Sequence, residues 1–202
     1  MILNISSIEQ MDQRYRTTLI NSLAGFRQAV LVGTQSVDGV NNLAIFNSLI
    51  HLGANPALFG LICRPNTVQR DTLQNIMETK VYTLNFIPSE YYKQAHQTSA
   101  RYDSNVSEFE ATGLTPQFQA FCKAPFVEEA VVKIYMKLES LVPISINNTE
   151  LIIGSIQYIE LKDGLLGVDG YIDLANDNTL IAQGLDAYFE AKPIGRLPYA
   201  KP

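Results

Sequence analysis

The run NLAIFNSLIHLGANPALFGLIC, from Asn42 to Cys63, decides the fold of this chain. It is almost wholly apolar, and from Gly39 to Cys63 no residue carries a formal charge apart from any proton that His51 holds. A stretch of this length can mimic a membrane span, but Asn41, Asn42, Asn47, Ser48, Asn55 and Pro56 inside it are too costly in hydrocarbon. It reads instead as two buried strands, Asn42 to Leu52 and Ala57 to Cys63, joined by a turn at Gly53-Ala54-Asn55-Pro56. Asn47, Ser48 and His51 break the first strand with polar groups. A polar side chain in a buried strand needs a partner, either in the protein or on a ligand.

Upstream, Arg14 to Ser22 is a weak entry segment, and FRQAVLVGT (Phe26 to Thr34) is a strand rich in β-branched residues that turns at Gly39. Downstream, Arg64-Pro65 stops the third strand. Leu73, Ile76 and Met77 then fall at helical spacing, with Thr67 or Asp71 as the N-cap and Lys80 in the last turn. Val81 to Ile87 returns as a strand, and Ser89 reads as the N-cap of a second helix that runs past Tyr91, Tyr92 and His96 toward Ser99. Glu108-Phe109 and Gly113 to Pro116 mark a short helix and a turn. Two long β segments follow, Ala130 to Val142 and Leu151 to Leu161, separated by Asn147-Asn148. Val132, Ile134, Met136 and Leu138 share one face there, the clearest period-two signal in the chain.

Six or seven strands with helices inserted after the third and fourth do not make the regular alternation of a doubly wound sheet. The expected class is mainly β (α+β), an antiparallel barrel with inserted helices. One domain spans 1–202, with the barrel over roughly 24–162 and residues 163–202 as a C-terminal cover segment.

Composition narrows the function. Of 202 residues, 47% are hydrophobic and only 17% charged, so part of the surface is expected to be covered by a partner subunit or a ligand. A net charge of -5 without a basic run argues against nucleic acid as a partner. Cys63 and Cys122 lie apart with no CxxC or His-rich context, which points to reduced thiols in a cytoplasmic protein and to no metal site. Residues 1–16 lack the basic start and apolar run of a signal peptide. The sequence has no GxGxxG, no GxxxxGK[ST], no GxSxG and no HExxH. What remains is Asn, Ser, Thr, Arg and His at strand ends and helix starts, an inventory suited to holding a cofactor that performs the chemistry itself.

Three clusters carry that inventory. Arg64, Asn66, Arg70 and Thr72 surround a helix start, where free N–H groups, a positive dipole end and the planar forks of two arginines suit a phosphate. Ordinary capping explains the same residues, and Asp71 would repel a phosphate, so it belongs to the cap or to an arginine. Asn47, Ser48, Leu49 and His51 form the second cluster, with Asn85 on a neighbouring strand. His96, Thr98 and Ser99, in AHQTSARY, form the third. Each polar residue taken alone is as well explained by an internal hydrogen bond.

In order and spacing, NLAIFNSLIHLGANPALFGLICRP, RDTLQNIMETKVYTLNF, AHQTSARY with SEFEATGLTP, KAPFVEEA and INNTELIIGSI resemble the flavin-reductase-like, FMN-binding split-barrel family from Phe26 to Tyr158. The resemblance implies an antiparallel split barrel, a homodimer and FMN near the subunit interface. On matching positions it implies that Asn47, Ser48 and Leu49 approach the flavin ring, and that Arg64, Asn66, Arg70 and Thr72 serve the phosphate and ribityl chain. Asn85, His96, Thr98 and Ser99 complete the pocket. It also implies hydride transfer from NADH or NADPH to FMN and onward to an acceptor, with His51 over the ring face. Two rival readings stand beside it: a non-catalytic FMN-binding or electron-transfer protein, and an interaction domain that shares only the barrel.

Overall fold

The computed structural model describes residues 2–65 and 70–201. In chain order the elements are α1 (Ile5–Glu9), α2 (Gln13–Leu23), β1 (Phe26–Gln28), β2 (Val30–Gln35), β3 (Asn41–Phe46), β4 (Leu49–Ala54), β5 (Ala57–Cys63), α3 (Asp71–Thr79) and β6 (Val81–Phe86). A 3-10 turn at Ser89–Tyr91 precedes α4 (Tyr92–Gln97) and α5 (Glu108–Thr112). The chain continues through β7 (Pro116–Gln119), β8 (Cys122–Val127), β9 (Val132–Ile144), β10 (Thr149–Leu161), β11 (Ile181–Gln183) and β12 (Ala187–Phe189).

Seven strands pair antiparallel in the order β3-β2-β6-β9-β10-β5-β4. The two edge strands, β3 and β4, are consecutive in the chain and joined only by Asn47 and Ser48. A flat seven-stranded sheet would hold its edges about 29 Å apart, at roughly 4.8 Å per strand gap. The span from Phe46 to Leu49 reaches at most about 11 Å. The sheet therefore curls until its edges meet, giving a barrel split between β3 and β4.

This corrects the reading of Asn42 to Leu52 as one buried strand. The chain breaks at Asn47-Ser48, and the outgoing half is an edge on which His51 is exposed and Ile50 and Leu52 keep about two-fifths of their surface in solvent. Phe26 to Thr34 is likewise two strands. Ala29 donates its N–H to the Leu180 carbonyl (3.0 Å), β1 pairs with β11, and β2 enters the barrel. The long hairpin β9–β10 follows the alternation: Val132, Ile134 and Met136 are buried and Leu138 packs against them. Lys133, on the opposite parity, is buried too, because Gln117 (2.6 Å) and Glu160 (3.1 Å) accept from its Nζ.

One buried cluster fills the barrel, with Leu61, Tyr82, Met136 and Ile152 fully enclosed, and Leu73 and Ile76 of α3 packed into it. A second, built around Leu31, Leu43, Phe109 and Leu180, lies under α4, α5 and the C-terminal hairpin β11–β12. The tail thus covers the barrel in part by pairing with β1. Strand β8 crosses β2 so closely that a Cβ on Gly33 would lie 2.2 Å from the Pro125 carbonyl oxygen, which leaves room only for glycine.

Both predicted helix starts shift. Arg70, not Thr67 or Asp71, occupies the N-cap of α3, and Asp71 is its first helical residue; Thr67 lies outside the described residues. Ser89 opens the 3-10 turn rather than α4, and its hydroxyl is turned to the Glu190 carboxylate.

Candidate functional site

The link between β3 and β4 is held by its side chains, not by a strand ladder. Asn47 Nδ2 donates to the Gly184 carbonyl (2.6 Å), on the turn between β11 and β12, and Arg27 Nη1 donates to the Asn47 carbonyl (3.4 Å). Ser48 Oγ donates to the Ile62 carbonyl (3.0 Å) and accepts the Ile62 N–H (3.2 Å). A main-chain carbonyl and amide of β5 are thus satisfied by a hydroxyl where the ladder lapses. Leu49 points inward and packs on the barrel core.

Ser48 sits against Ile62, two residues before Arg64, so the first two predicted clusters meet. Burial pushes the Cys63 thiol upward, while the nearby guanidinium of Arg70 pulls it down, Glu150 opposes that pull and Arg64 adds to it. Both arginines therefore project their field onto the end of β5. Arg64 is exposed. Arg70 Nε is buried without a hydrogen-bond partner among the described residues, and the α3 N-cap forms no side-chain cap. An orphaned buried donor of this kind costs about 1–3 kcal/mol. Asn66 lies outside the described residues.

The third cluster joins through the tail. His96, exposed in the last turn of α4, has its Nδ1 3.0 Å from the Tyr188 hydroxyl, with the rings edge to face at 5.7 Å. Tyr188 lies on β12, four residues past the Gly184 carbonyl that Asn47 holds. A cavity of about 720 Å³ opens beside that turn, between α2 and β11–β12, lined by Arg14, Thr18, Gln183, Gly184 and Leu185 among others.

Three predicted residues are buried and bonded within the protein. Asn85 is fully buried and spent: its Nδ2 donates to the Leu31 carbonyl (3.1 Å) and Thr83 Oγ1 (2.9 Å), and its Oδ1 accepts the Val127 N–H (3.0 Å). It fastens β8 across the barrel. Thr72 is buried and accepts from Asn42 Nδ2 (2.9 Å), in a network where Thr34 Oγ1 takes a second bond from Asn42 and one from Asn75 (both 3.1 Å). Thr98 is buried at the end of α4 and donates to the Ala95 carbonyl (2.8 Å). Ser99 remains exposed, with its hydroxyl donating to the His96 carbonyl (2.7 Å). His51 is exposed and meets Phe59 edge to face at 6.2 Å. Gly184 and Tyr188 reach the site from the cover segment, where the only sequence signal was a tyrosine-bearing turn.

Among the described residues no His, Cys, Asp and Glu group is disposed to hold a metal ion, and no helix is long and apolar enough to cross a membrane.

A seven-stranded antiparallel barrel opened between two consecutive edge strands defines a split-barrel protein. The chain belongs to the flavin reductase like domain family, whose sequence model matches residues 24–173. It is similar over 99% of its length to the whole of a solved chain from Shewanella frigidimarina NCIMB 400, described as an inferred flavin reductase with a split barrel domain, at 46% identity and a TM-score of 0.95. Nitrilotriacetate monooxygenase component B from Bacillus cereus shares the fold at 21% identity, 98% coverage of each chain and a TM-score of 0.85. An FMN-binding protein from Thermus thermophilus shares it at 17% identity, covering 88% of this chain and 93% of that one, with a TM-score of 0.73.

Proposed function

We propose that this chain binds FMN beside the 47–48 link and works as an oxidoreductase that takes hydride from NADH or NADPH and passes it to an acceptor. The observation that carries the reading is Arg70. Its buried Nε has no partner among the described residues, its side chain at the N-cap accepts no helix N–H, and Arg64 stands at the end of the adjoining strand. A phosphate dianion answers all three at once, through charge-assisted bonds to the guanidinium groups and N–H donation from the helix. The Thermus thermophilus relative, described as FMN-binding, supports FMN as the phosphate-bearing ligand.

FMN, when bound, supplies the hydride-accepting and hydride-donating centre. The chain's own residues hold and shield it. Arg64 and Arg70 anchor the phosphate end, Asn47 and Ser48 rigidify the split by bonding across it, and Leu49 lends the apolar wall. His51 is exposed on the edge strand, and in this reading it steers the nicotinamide. Hydride transfer asks for ring alignment and exclusion of water rather than a protein acid or base, and this site is poor in both. A second copy of the chain supplies the missing cover. Ile50 and Leu52 on the open edge, and Leu197 and Tyr199 on the tail at about 90% exposure, are apolar surfaces that a homodimer would bury.

An absorbance spectrum of the purified protein with added FMN, followed by NADH and NADPH titration under nitrogen, tests the reading. Bound yellow flavin that bleaches with either nucleotide is expected, and His51→Ala should slow the bleaching. Bound flavin that neither nucleotide bleaches leaves a non-catalytic FMN protein. Colourless protein that takes up no FMN ends the proposal.

A further inference from the structure

We propose that Tyr188, on a hairpin beyond the span matched by the family, is a positioning residue that fixes His96 as its Nε2–H tautomer and so gives the site a permanent N–H donor toward an acceptor oxygen of the bound flavin. This rests on the functional reading above.

The argument begins with the backbone. Tyr188 pairs with Ala182 in the β11–β12 ladder, and its side chain packs against the second core cluster and meets the Tyr92 ring at 6.1 Å, so the hydroxyl is delivered from a rigid support. Asn47 ties the turn of the same hairpin to the split through the Gly184 carbonyl. The hairpin thus holds residues of two clusters at once. At His96 the contact is 3.0 Å to Nδ1, and its direction follows from chemistry. A phenol is a better donor than a neutral imidazole N–H, and an imidazole nitrogen is a better acceptor than a phenol oxygen, so O–H···N is the favoured arrangement. Burial, helped by the Asp186 charge, keeps the Tyr188 hydroxyl protonated by raising its pKa. A hydrogen bond accepted at one ring nitrogen puts the proton on the other. With Nδ1 accepting, Nε2 carries the hydrogen, and His96 is exposed, so that donor is open to a ligand. FMN has acceptor oxygens on the phosphate, the ribityl chain and the ring carbonyls, and the test separates the phosphate from the other two.

Long-range nitrogen–proton NMR of the imidazole, above pH 7, reads the tautomer directly. The wild-type chain is expected to hold His96 as Nε2–H, and Tyr188→Phe, which keeps the ring packing, should give a mixture. FMN and riboflavin titrations followed by fluorescence quenching read the consequence. Tyr188→Phe should weaken FMN binding by the reciprocal of the Nε2–H fraction that survives, about twofold for an even mixture. If riboflavin weakens equally, the donor serves a ring carbonyl or a ribityl oxygen; if only FMN weakens, it serves the phosphate. His96→Gln presents an amide N–H that needs no tautomer, so adding Tyr188→Phe to it should change nothing further. An Nδ1–H or mixed His96 in the wild type, or flavin affinities indifferent to Tyr188→Phe, overturns the proposal. A wild type that binds neither flavin overturns the functional reading and the donor's role toward flavin together, while the tautomer still decides whether Tyr188 positions His96.

Discussion

Replacing Arg70 with methionine removes the one charged group among the described residues whose buried nitrogen is unpartnered, while keeping a long, flexible side chain at the N-cap of α3. Two effects of opposite sign follow. Without ligand, the buried Nε costs about 1–3 kcal/mol, so Arg70→Met should leave the flavin-free chain as stable as the wild type or about 1 kcal/mol more stable. With FMN, the lost charge-assisted bonds are worth about 1.5–3 kcal/mol, which weakens binding roughly 10- to 100-fold. Riboflavin has no phosphate, and its affinity should barely change. Fluorescence titration with both flavins, beside urea unfolding of the flavin-free protein, reads all three quantities. Equal losses for FMN and riboflavin would show that Arg70 does not meet the phosphate. A flavin-free variant several kcal/mol less stable would show that Arg70 has a structural partner the reasoning missed.

Gly33→Ala drives a Cβ to 2.2 Å from the Pro125 oxygen and 2.6 Å from Thr83 Oγ1, two atoms already bonded to each other at 2.6 Å. Lifting β8 breaks that buried bond and overpacks the crossing, so urea unfolding should show a loss of about 3–5 kcal/mol, and a loss under 1 kcal/mol would contradict the crossing. Glu108 is buried and accepts the Leu43 N–H (2.9 Å), and burial holds its carboxyl above the usual range. Its proton is bound more tightly folded than unfolded, so its contribution is full below about pH 4.3 and is lost as pH rises through the folded pKa. Glu108→Gln keeps the acceptor without the charge; its denaturation midpoint should exceed the wild type's at pH 7, and the gap should close toward pH 4. A gap that widens on acidification reverses the sign and refutes the account.

The long hairpin was legible because its signal is local. Alternating Val132, Ile134 and Met136 specify which face is buried whatever they pack against. Helix α3 was legible for the same reason, through Leu73 and Ile76 at helical spacing. The polar candidates share a different property. Asn85 is a polar break in an apolar strand and Thr72 a hydroxyl at a helix start, and a polar group so placed shows only that a partner exists. Val127, Leu31 and Asn42 turned out to be those partners.

The sequence by itself determined the class, an antiparallel barrel with inserted helices, because periodicity and turn residues are properties of neighbours along the chain. The break at Asn47-Ser48 that opens the barrel, and the recruitment of Gly184 and Tyr188 to the site, were decided only by tertiary structure. Those bonds join residues about 90 to 140 positions apart. A hydrogen bond over such a distance leaves no local pattern, and it exists only once the curled sheet has brought its two edges together.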